Sequence, residues 1–244
     1  MTQAQIQPTP EGAILFDAGV AAQASFDADF FEPAHWPGRM GIDAVSGGRG
    51  GASFIEAPFG RCVLRHYRRG GMVARVMGDR YLWTGAERTR GFAEFRLLAT
   101  LRERDLPVPE PIAARYRRNG AHYRADLITR RIEGAATLAE LLADSRVDAL
   151  VASRVGAAIA KFHAHGAYHA DLNAHNVLLD GKTVWLIDFD RGQLRTPARH
   201  WQQANLARLQ RSLRKLGAAG DGEDAFERAL WKPLIAAYER AGAS

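Results

Sequence analysis

The chain has 244 residues, of which 47% are hydrophobic, and its 33 Lys and Arg residues exceed its 27 Asp and Glu residues to give a net charge of +6. This is the composition of a globular protein, and it excludes disorder, collagen and a coiled coil. The single cysteine, Cys62, cannot form an internal disulfide, which favours a reducing compartment. No apolar run approaches the roughly 18 residues of a membrane span, and no Lys or Arg precedes Arg39 as a signal peptide would require. We therefore expect a soluble cytoplasmic protein.

The charge is unevenly distributed along the chain. Residues 1–38 contain acidic side chains but no Lys or Arg, so the remainder of the chain is strongly basic. A basic body suits anionic partners such as nucleic acid, phosphorylated ligands or an acidic membrane surface, although an arginine-rich composition alone explains it equally well. No lysine occurs before Lys161.

The first half of the chain is rich in predicted strands. Short strands are predicted at 40–45 and 52–57 around the glycine cluster 47–51, with a third at 61–67 after a Pro-Phe-Gly turn. These strands predict an antiparallel meander.

A helix and a hairpin follow the meander. Thr89 is a possible N-cap for a helix to about Arg104, whose buried side is predicted to carry Phe92, Phe95, Leu98 and Leu101. Strands at 112–117 and 122–128 flank Asn119-Gly120, a strong hairpin signal.

The second half is rich in predicted helices, and the change falls near residues 132–136. We divide the chain into an acidic N-terminal extension (1–38), a strand-rich part (39–134) and a helical part (135–244). The helical part is predicted to contain helices around 137–143, 147–165, 201–216 and 224–240, with strands at 177–179 and 183–187.

A polar segment interrupts this pattern and carries the chemistry. His169, Asp171 and Asn176 have the spacing H-x-D-x-x-x-x-N, and Asp188-Phe189 closes the next pair of strands. This constellation resembles the catalytic loop and metal-binding strand end of protein kinases. The resemblance implies that Asp171 accepts the proton of a substrate hydroxyl, and that Asn176 and Asp188 bind Mg²⁺.

Alone, each of these polar residues is more simply read as a solvated loop residue or a satisfied buried one. The fixed spacing of several residue types after an amphipathic helix favours the kinase-like interpretation. His169 belongs to the catalytic set, where propping the loop against Phe189 is a better role for it than that of a base. Asp190 is either a second metal ligand or a surface charge.

The strand-rich part carries further features that a kinase fold needs. Gly48, Gly50 and Ser53 follow the glycine-rich pattern G-x-G-x-x-G, with Ser53 in the last glycine position. The usual lysine of the third strand is replaced by Arg65, and Glu94 on the next helix is its predicted ion-pair partner. An exposed strand cation and a solvated helix carboxylate are the simpler alternatives.

Two departures from protein kinases narrow the expected substrate. Ala170 stands where regulated protein kinases have an arginine, and the part after Asp190 lacks an Ala-Pro-Glu motif and is short for a peptide-binding platform. We therefore favour a small-molecule or lipid-sugar kinase over a regulated protein kinase.

From about Ser46 to Leu216 the chain resembles the family of kinases for 3-deoxy-D-manno-octulosonic acid (Kdo) in lipopolysaccharide assembly. The segments that carry this resemblance are Val63-Leu64-Arg65-His66-Tyr67-Arg68-Arg69-Gly70-Gly71, Ala93-Glu94-Phe95 through Leu106-Pro107-Val108-Pro109, Tyr123-Arg124-Ala125-Asp126-Leu127-Ile128-Thr129, Tyr168-His169-Ala170-Asp171-Leu172-Asn173 and Asn205-Leu206-Ala207-Arg208-Leu209-Gln210-Arg211-Ser212-Leu213.

The family resemblance implies an α+β, bilobal protein-kinase-like fold, with an antiparallel-sheet N-lobe at 39–134 and a reduced helical C-lobe at 135–244. It implies ATP- and Mg²⁺-dependent phosphorylation of the 4-hydroxyl of Kdo on a lipid A precursor, by a protein peripheral to the cytoplasmic face of the inner membrane. The residues expected to contact ATP are Gly48, Gly50, Ser53, Arg65, Glu94 and Ile128.

A lipid-linked anionic acceptor also accounts for the basic tail, residues 191–216, which contains Lys and Arg but no Asp or Glu. Candidate contacts to the acceptor or the membrane are Arg195, Arg208 and Arg211. Arg208, Arg211 and Lys215 share one predicted helix face, and leucines occupy another. A solvated helix whose leucines pack on the body explains the same pattern, and both can hold.

Other functions remain open at this stage. They are an aminoglycoside-type or protein kinase, a catalytically dead kinase-like scaffold, and a basic nucleic-acid binder. The intact Asp171, Asn176 and Asp188 argue against the scaffold, and no aromatic and basic RNA-binding motif supports a nucleic-acid partner. The sequence predicts no oligomeric state.

Overall fold

A computed structural model describes residues 2–21, 26–36, 40–41, 52–68, 78–220 and 222–242. The chain forms two compact units. The first comprises Met1–Thr100 and Pro109–Arg131, and the second comprises Leu101–Val108 and Ile132–Ser244. No described helix is long and apolar enough to cross a membrane.

The first unit is built on one antiparallel sheet. Its strand order is β1-β2-β7-β8-β5-β4-β3, and β6 pairs with the N-terminal end of β8. The strands are β1 (Ala4–Thr9), β2 (Gly12–Asp17), β3 (Met40–Gly41), β4 (Ala52–Ala57), β5 (Gly60–His66), β6 (Tyr81–Leu82), β7 (Pro111–Asn119) and β8 (His122–Arg130).

The predicted strands and hairpin of this unit are confirmed where the structure describes them. Asn119 pairs with His122 across a turn in which Gly120 has a φ of +59°, which requires the left-handed region that glycine adopts without strain. The predicted strand at 40–45 is described only at Met40 and Gly41, and the glycine cluster 47–51 lies outside the described residues.

Two strands of the sheet, β1 and β2, lie within residues 1–38, which the sequence pattern did not predict. Strand β2 pairs with β7, and the short helix α1 (Ala18–Ala21) follows it. The ring of Phe26 stacks between those of Phe16 and Phe59, with centroid distances of 5.2 and 5.5 Å. These rings join the hydrophobic core of the unit.

A buried arginine ties the same segment to the sheet. Nε of Arg115 donates to Asp126 Oδ2 at 2.9 Å, and its two terminal nitrogens donate to the carbonyl oxygen of Ala28 and to Glu32 Oε1, both at 2.9 Å. Burying a guanidinium is tolerated because every edge of its fork has an acceptor. Glu32 of the acidic segment is thus paired with a cation of the body.

Helix α2 (Arg90–Glu103) completes the first unit and continues into the second. Its four predicted core residues, Phe92, Phe95, Leu98 and Leu101, are all buried. Thr89 precedes the helix in an extended conformation, its carbonyl oxygen accepts from the N–H of Ala93, and its hydroxyl donates to the carbonyl oxygen of Ala86 at 2.7 Å. The predicted start of the helix at Thr89 is therefore confirmed.

The second unit is mainly helical. Its helices are α3 (Leu138–Ala143), α4 (Ala149–Ala164), α5 (Arg199–Lys215), α6 (Glu223–Phe226) and α7 (Lys232–Gly242), with a π-helical turn at Glu227–Trp231. Its short strands are β9 (Ala136–Thr137), β10 (Ala167–Tyr168), β11 (Val177–Leu179), β12 (Val184–Leu186) and β13 (Gln193–Leu194).

Local capping and apolar spacing fix these helices. Thr137 and Glu140 form a reciprocal capping box at the start of α3, and Asp148 Oδ1 accepts from the N–H of Val151 at 2.8 Å at the start of α4. The apolar residues Val155, Ile159 and Phe162 lie on one side of α4 and are buried. The leucines of α5 are also buried at positions 206, 209 and 213.

One histidine is part of this helical core. The ring of His163 lies edge-on to that of Trp201, with centroids 5.0 Å apart, and Nδ1 is hydrogen-bonded to the hydroxyl of Tyr238 at 2.9 Å. Burial lowers the pKa of His163 to about 4. It is therefore a neutral packing residue at neutral pH.

Gly156 allows close contact between α4 and α7. A Cβ at this position would lie 2.0 Å from the carbonyl oxygen of Leu234. We expect Gly156→Ala to lower the free energy of unfolding by about 1–3 kcal/mol, because the overlap outweighs the helix preference of alanine. Gly242→Ala is the control, because its Cβ meets no described atom within 4 Å. Equal urea midpoints for the two variants would contradict this account.

Candidate active site

The polar segment His169–Asn176, here called the catalytic loop, is organised by the ring of His169. This residue is 1% exposed, and its Nε2 donates to the carbonyl oxygen of Ile187 at 2.8 Å. Its Nδ1 accepts from the N–H of Asp171 at 3.1 Å. The ring also packs on Phe189 at a centroid distance of 4.7 Å. Both ring nitrogens are thus engaged in positioning the loop, and the tautomer with a proton on Nε2 is fixed.

Helix α5 holds the main chain of the catalytic loop. The buried side chain of Asn205 accepts from the N–H of His169 at 3.3 Å and donates to its carbonyl oxygen at 2.9 Å. Two turns further along, the hydroxyl of Ser212 accepts from the N–H of Ala174 at 3.1 Å. The contacts of these two residues with the loop were not predicted from the sequence, because no local motif marks a contact between segments so far apart in the chain.

Asp171 presents a largely exposed carboxylate. Its side chain is 56% exposed, and Oδ1 accepts from Nη1 of Arg208 at 3.1 Å. Arg208 is itself 47% exposed, so this ion pair contributes at most about 1 kcal/mol to stability. The carboxylate is therefore oriented by the loop backbone and remains accessible to a substrate.

Asn176 and Asp188 are brought together by the adjoining strands. The N–H of Ile187 donates to the carbonyl oxygen of Asn176 at 3.0 Å, which extends the pairing of β11 with β12 and places Asp188 beside it. Nδ2 of Asn176 donates to the carbonyl oxygen of Asp171 at 3.0 Å, and its Oδ1 accepts no hydrogen bond from any described residue. Asp188 has a φ of +61°, a strained conformation for a non-glycine residue.

These two residues fit a magnesium ion. Amide and carboxylate oxygens are the hard ligands that Mg²⁺ prefers, and the remaining positions of its coordination shell are normally filled by phosphate and water oxygens. Among the described residues there is no cluster of three or more His, Cys, Asp or Glu side chains that could hold a metal. Asp190 is half-buried, with Oδ2 4.0 Å from Nε of Arg191, and its metal role stays a prediction.

In the first unit, Arg65 and Glu94 form the predicted ion pair. Glu94 is 2% exposed at its side chain, and Oε2 accepts from Nη2 of Arg65. The hydroxyl of Tyr67 donates to the same oxygen at 2.6 Å, and the guanidinium of Arg65 lies 4.9 Å from the centre of the Tyr67 ring. A buried carboxylate is thus compensated by one cation and one hydroxyl. The part played by Tyr67 was not predicted from the sequence.

The other residues expected to contact ATP have different surroundings. Ser53 lies on β4 opposite Leu64, and Arg65 lies opposite Ala52 in the same strand pair. Ile128 is fully buried in the hydrophobic core of the first unit. Gly48 and Gly50 lie outside the described residues. The nucleotide contacts of these four residues remain predictions.

The three arginines expected to contact the acceptor also differ from one another. Arg208 pairs with Asp171, as described above. The guanidinium of Arg195 lies 3.5 Å from the centre of the Tyr168 ring, and its Nε donates to Gln193 Oε1 at 3.0 Å. Arg211 is exposed and contacts no charged or polar side chain of the described chain.

Comparison with known proteins places this site in a family. A profile of the lipopolysaccharide kinase (Kdo/WaaP) family matches residues 42–238. A 3-deoxy-D-manno-octulosonic acid kinase of Stenotrophomonas maltophilia R551-3 is 53% identical over 220 residues, which are 87% of this chain and 84% of that protein. The protein of the same name from Xanthomonas campestris pv. campestris B100 is 52% identical over 237 residues, which are 94% and 90% of the two chains.

A solved structure supports the fold independently. The chain resembles WaaP, solved in complex with acyl carrier protein, with a TM-score of 0.54 at 16% sequence identity, over 94% of this chain and 98% of that one. The α+β, protein-kinase-like fold predicted from the sequence is thereby confirmed. Together with the profile match and the close relatives, the likeness shows that the chain belongs to the lipopolysaccharide kinase (Kdo/WaaP) family.

Proposed function

We propose that this protein is an ATP-dependent kinase that phosphorylates the 4-hydroxyl of Kdo on a lipid A precursor. The observation that carries the proposal is the exposed carboxylate of Asp171 on the same loop as Asn176, whose carbonyl oxygen accepts from the residue that precedes Asp188. The relatives that are named 3-deoxy-D-manno-octulosonic acid kinases support the choice of acceptor.

In this reaction Asp171 orients the acceptor hydroxyl and receives its proton. The hydroxyl oxygen forms a bond to the γ-phosphorus of ATP while the bond between that phosphorus and the β,γ-bridging oxygen breaks, and ADP leaves. His169 takes no proton, because its Nδ1 is occupied by the N–H of Asp171 and its Nε2 by a carbonyl oxygen. Its role is to hold Asp171 and the end of β12 in fixed positions relative to each other.

The proposed cofactor is Mg²⁺, held by Oδ1 of Asn176 and the carboxylate of Asp188. When bound, it neutralises charge on the β- and γ-phosphates. Asn176 contributes a neutral oxygen, which limits the negative charge that faces the triphosphate. We infer further that Arg65 contacts phosphate oxygens of the nucleotide, since it stands in the position of the usual kinase lysine and pairs with Glu94.

The acceptor is lipid-linked, so we propose a peripheral association with the inner membrane through the exposed cations of α5. Arg211 and Lys215 are exposed on this helix. Each basic residue near an anionic membrane surface contributes about 1 kcal/mol to the binding of a protein to that surface. This contribution falls off within a Debye length, which is about 8 Å at physiological salt.

The catalytic assignment predicts different defects for the two carboxylates. Asp171→Ala should reduce turnover by about 10²–10⁴-fold with little change in ATP affinity, because its role is to orient and deprotonate the acceptor. Asp188→Ala should weaken magnesium-dependent ATP binding itself. Phosphate transfer from labelled ATP and calorimetry with Mg-ATP measure the two effects, with Asp144→Ala, an exposed aspartate of the same unit, as the control. Turnover of Asp171→Ala within tenfold of wild type would overturn the assignment.

The geometry at Arg65 predicts that lysine cannot replace it. Arg65→Lys should lower kcat/KM for ATP by about tenfold or more, because a compact ammonium cannot contact Glu94, Tyr67 and a phosphate together. Arg61→Lys is the matched control on the same strand, since Arg61 is mostly exposed. If Arg65→Lys turns over as fast as wild type, the arginine is incidental.

The proposed membrane contact predicts a charge effect on liposome binding. The double variant Arg211→Glu and Lys215→Glu should bind anionic liposomes at least about tenfold more weakly than wild type, and the difference should shrink with added salt. Arg228→Glu with Lys232→Glu changes the net charge equally at exposed positions elsewhere in the second unit, and should bind nearly as wild type does. Equal losses in both double variants would contradict a specific role for α5.

A further inference from the structure

Helix α5 contacts the catalytic loop at three points along one face. Asn205 bonds the main chain of His169, Arg208 bonds the side chain of Asp171, and Ser212 bonds the main chain of Ala174. Residues spaced by three and four positions lie on the same side of a helix, so these three contacts form a single row. The helix is anchored by the fully buried Leu209 and Leu213. The backbone of Arg208 is therefore fixed beside the catalytic aspartate.

The contact between Arg208 and Asp171 uses few of the hydrogen-bond donors of the arginine. It consists of one bond, from Nη1 to Oδ1 at 3.1 Å. The guanidinium contacts no other acceptor in the described part of the chain, and both side chains are about half exposed. An arginine has five N–H donors in a planar fork that matches a carboxylate or a phosphate. Most of that fork is thus presented to whatever group lies next to the reacting hydroxyl.

The acceptor of the proposed reaction carries an anion at this place. In the ring of an octulosonic acid, the carboxylate is attached to C2, and only C3 separates C2 from the carbon that bears the 4-hydroxyl. When that hydroxyl is bonded to Asp171, two carboxylates lie within several ångströms of each other and repel. A cation that contacts both removes this repulsion and fixes the orientation of the sugar.

We propose that Arg208 is the residue that selects an acidic sugar, because it binds the carboxylate of the acceptor while it remains in contact with Asp171. This inference rests on the proposed function and adds to it the basis of acceptor recognition. Arg208 touches the substrate through a group that does not react, so it is a specificity residue. The base remains Asp171.

The test compares two acceptors that differ only in this charge: a lipid A precursor with a single Kdo, and its Kdo methyl ester. Wild type should prefer the acid over the ester by at least tenfold in kcat/KM. For Arg208→Gln, kcat/KM should fall at least tenfold with the acid and change little with the ester. The two values should then differ by no more than threefold. KM for ATP should not change in either case.

Arg199→Gln is the matched control. Arg199 is an exposed arginine on α5, about half a turn out of phase with Arg208, and its replacement makes the same change in charge. It should keep the preference of wild type for the acid. Arg208→Lys keeps the charge but loses the fork, so we expect an intermediate preference, and this variant decides the question if Arg208→Gln does not fold.

The remaining outcomes overturn the inference in recognisable ways. If Arg208→Gln loses equally on both acceptors, the residue acts only by positioning Asp171. If wild type phosphorylates the acid and the ester equally well, the protein does not recognise the charge of the acceptor carboxylate, although the proposed function stands. If wild type phosphorylates neither acceptor, the proposed function itself fails and the inference fails with it.

Discussion

In the second unit, the position of the catalytic loop depends on the two hydrogen bonds between the side chain of Asn205 and the main chain of His169. They connect the catalytic loop to a helix whose own position is fixed by buried leucines. The ring of His169 then connects the loop to Ile187, at the end of a strand. A loop that would otherwise be mobile is thus held at both sides by rigid elements, which is what the placement of a catalytic carboxylate requires.

The same arrangement explains how a backbone strain is maintained. Asp188 has a positive φ directly after Ile187, whose N–H and carbonyl groups are bonded to Asn176 and to His169. Because both bonds of Ile187 are fixed, the turn at Asp188 starts from a backbone that is held on both sides. Strain of this kind persists only where surrounding contacts determine the backbone fully, and it is concentrated at functional sites.

In the first unit the corresponding constraint is the buried carboxylate of Glu94. A carboxylate that is almost fully removed from water needs a partner, and here Arg65 and Tyr67 both serve it. Arginine suits this position because its charge is permanent and its fork can contact Glu94 and Tyr67 at once. The substitution of the usual kinase lysine is therefore compatible with an intact ion pair.

Much of the fold could be predicted because its signals are local. The Asn119-Gly120 turn and the three-residue spacing of Phe92, Phe95 and Leu98 each depend on neighbours in sequence, and both predictions hold. Strand β1 gave no such signal, because it is an edge strand that contains Pro8 and is largely exposed.

The candidate site likewise contains some features that the sequence predicts and others that it does not. The spacing of Asp171, Asn176 and Asp188 is visible in the sequence, whereas the contacts of Asn205 and Arg208 with the loop join segments that are distant in the chain. The charge of Arg208 suggested a contact with the acceptor or the membrane, but nothing in the pattern could indicate that it lies beside Asp171.

If the protein phosphorylates the 4-hydroxyl of Kdo, the position of the phosphate in the product shows this directly. The purified protein would be incubated with Mg-ATP and a Kdo-bearing lipid A precursor, and the product examined by phosphorus–proton correlation NMR. We expect a new monophosphate coupled to the proton at C4 of Kdo. A phosphate at another position, or an unmodified Kdo after ATP has been consumed, would contradict it.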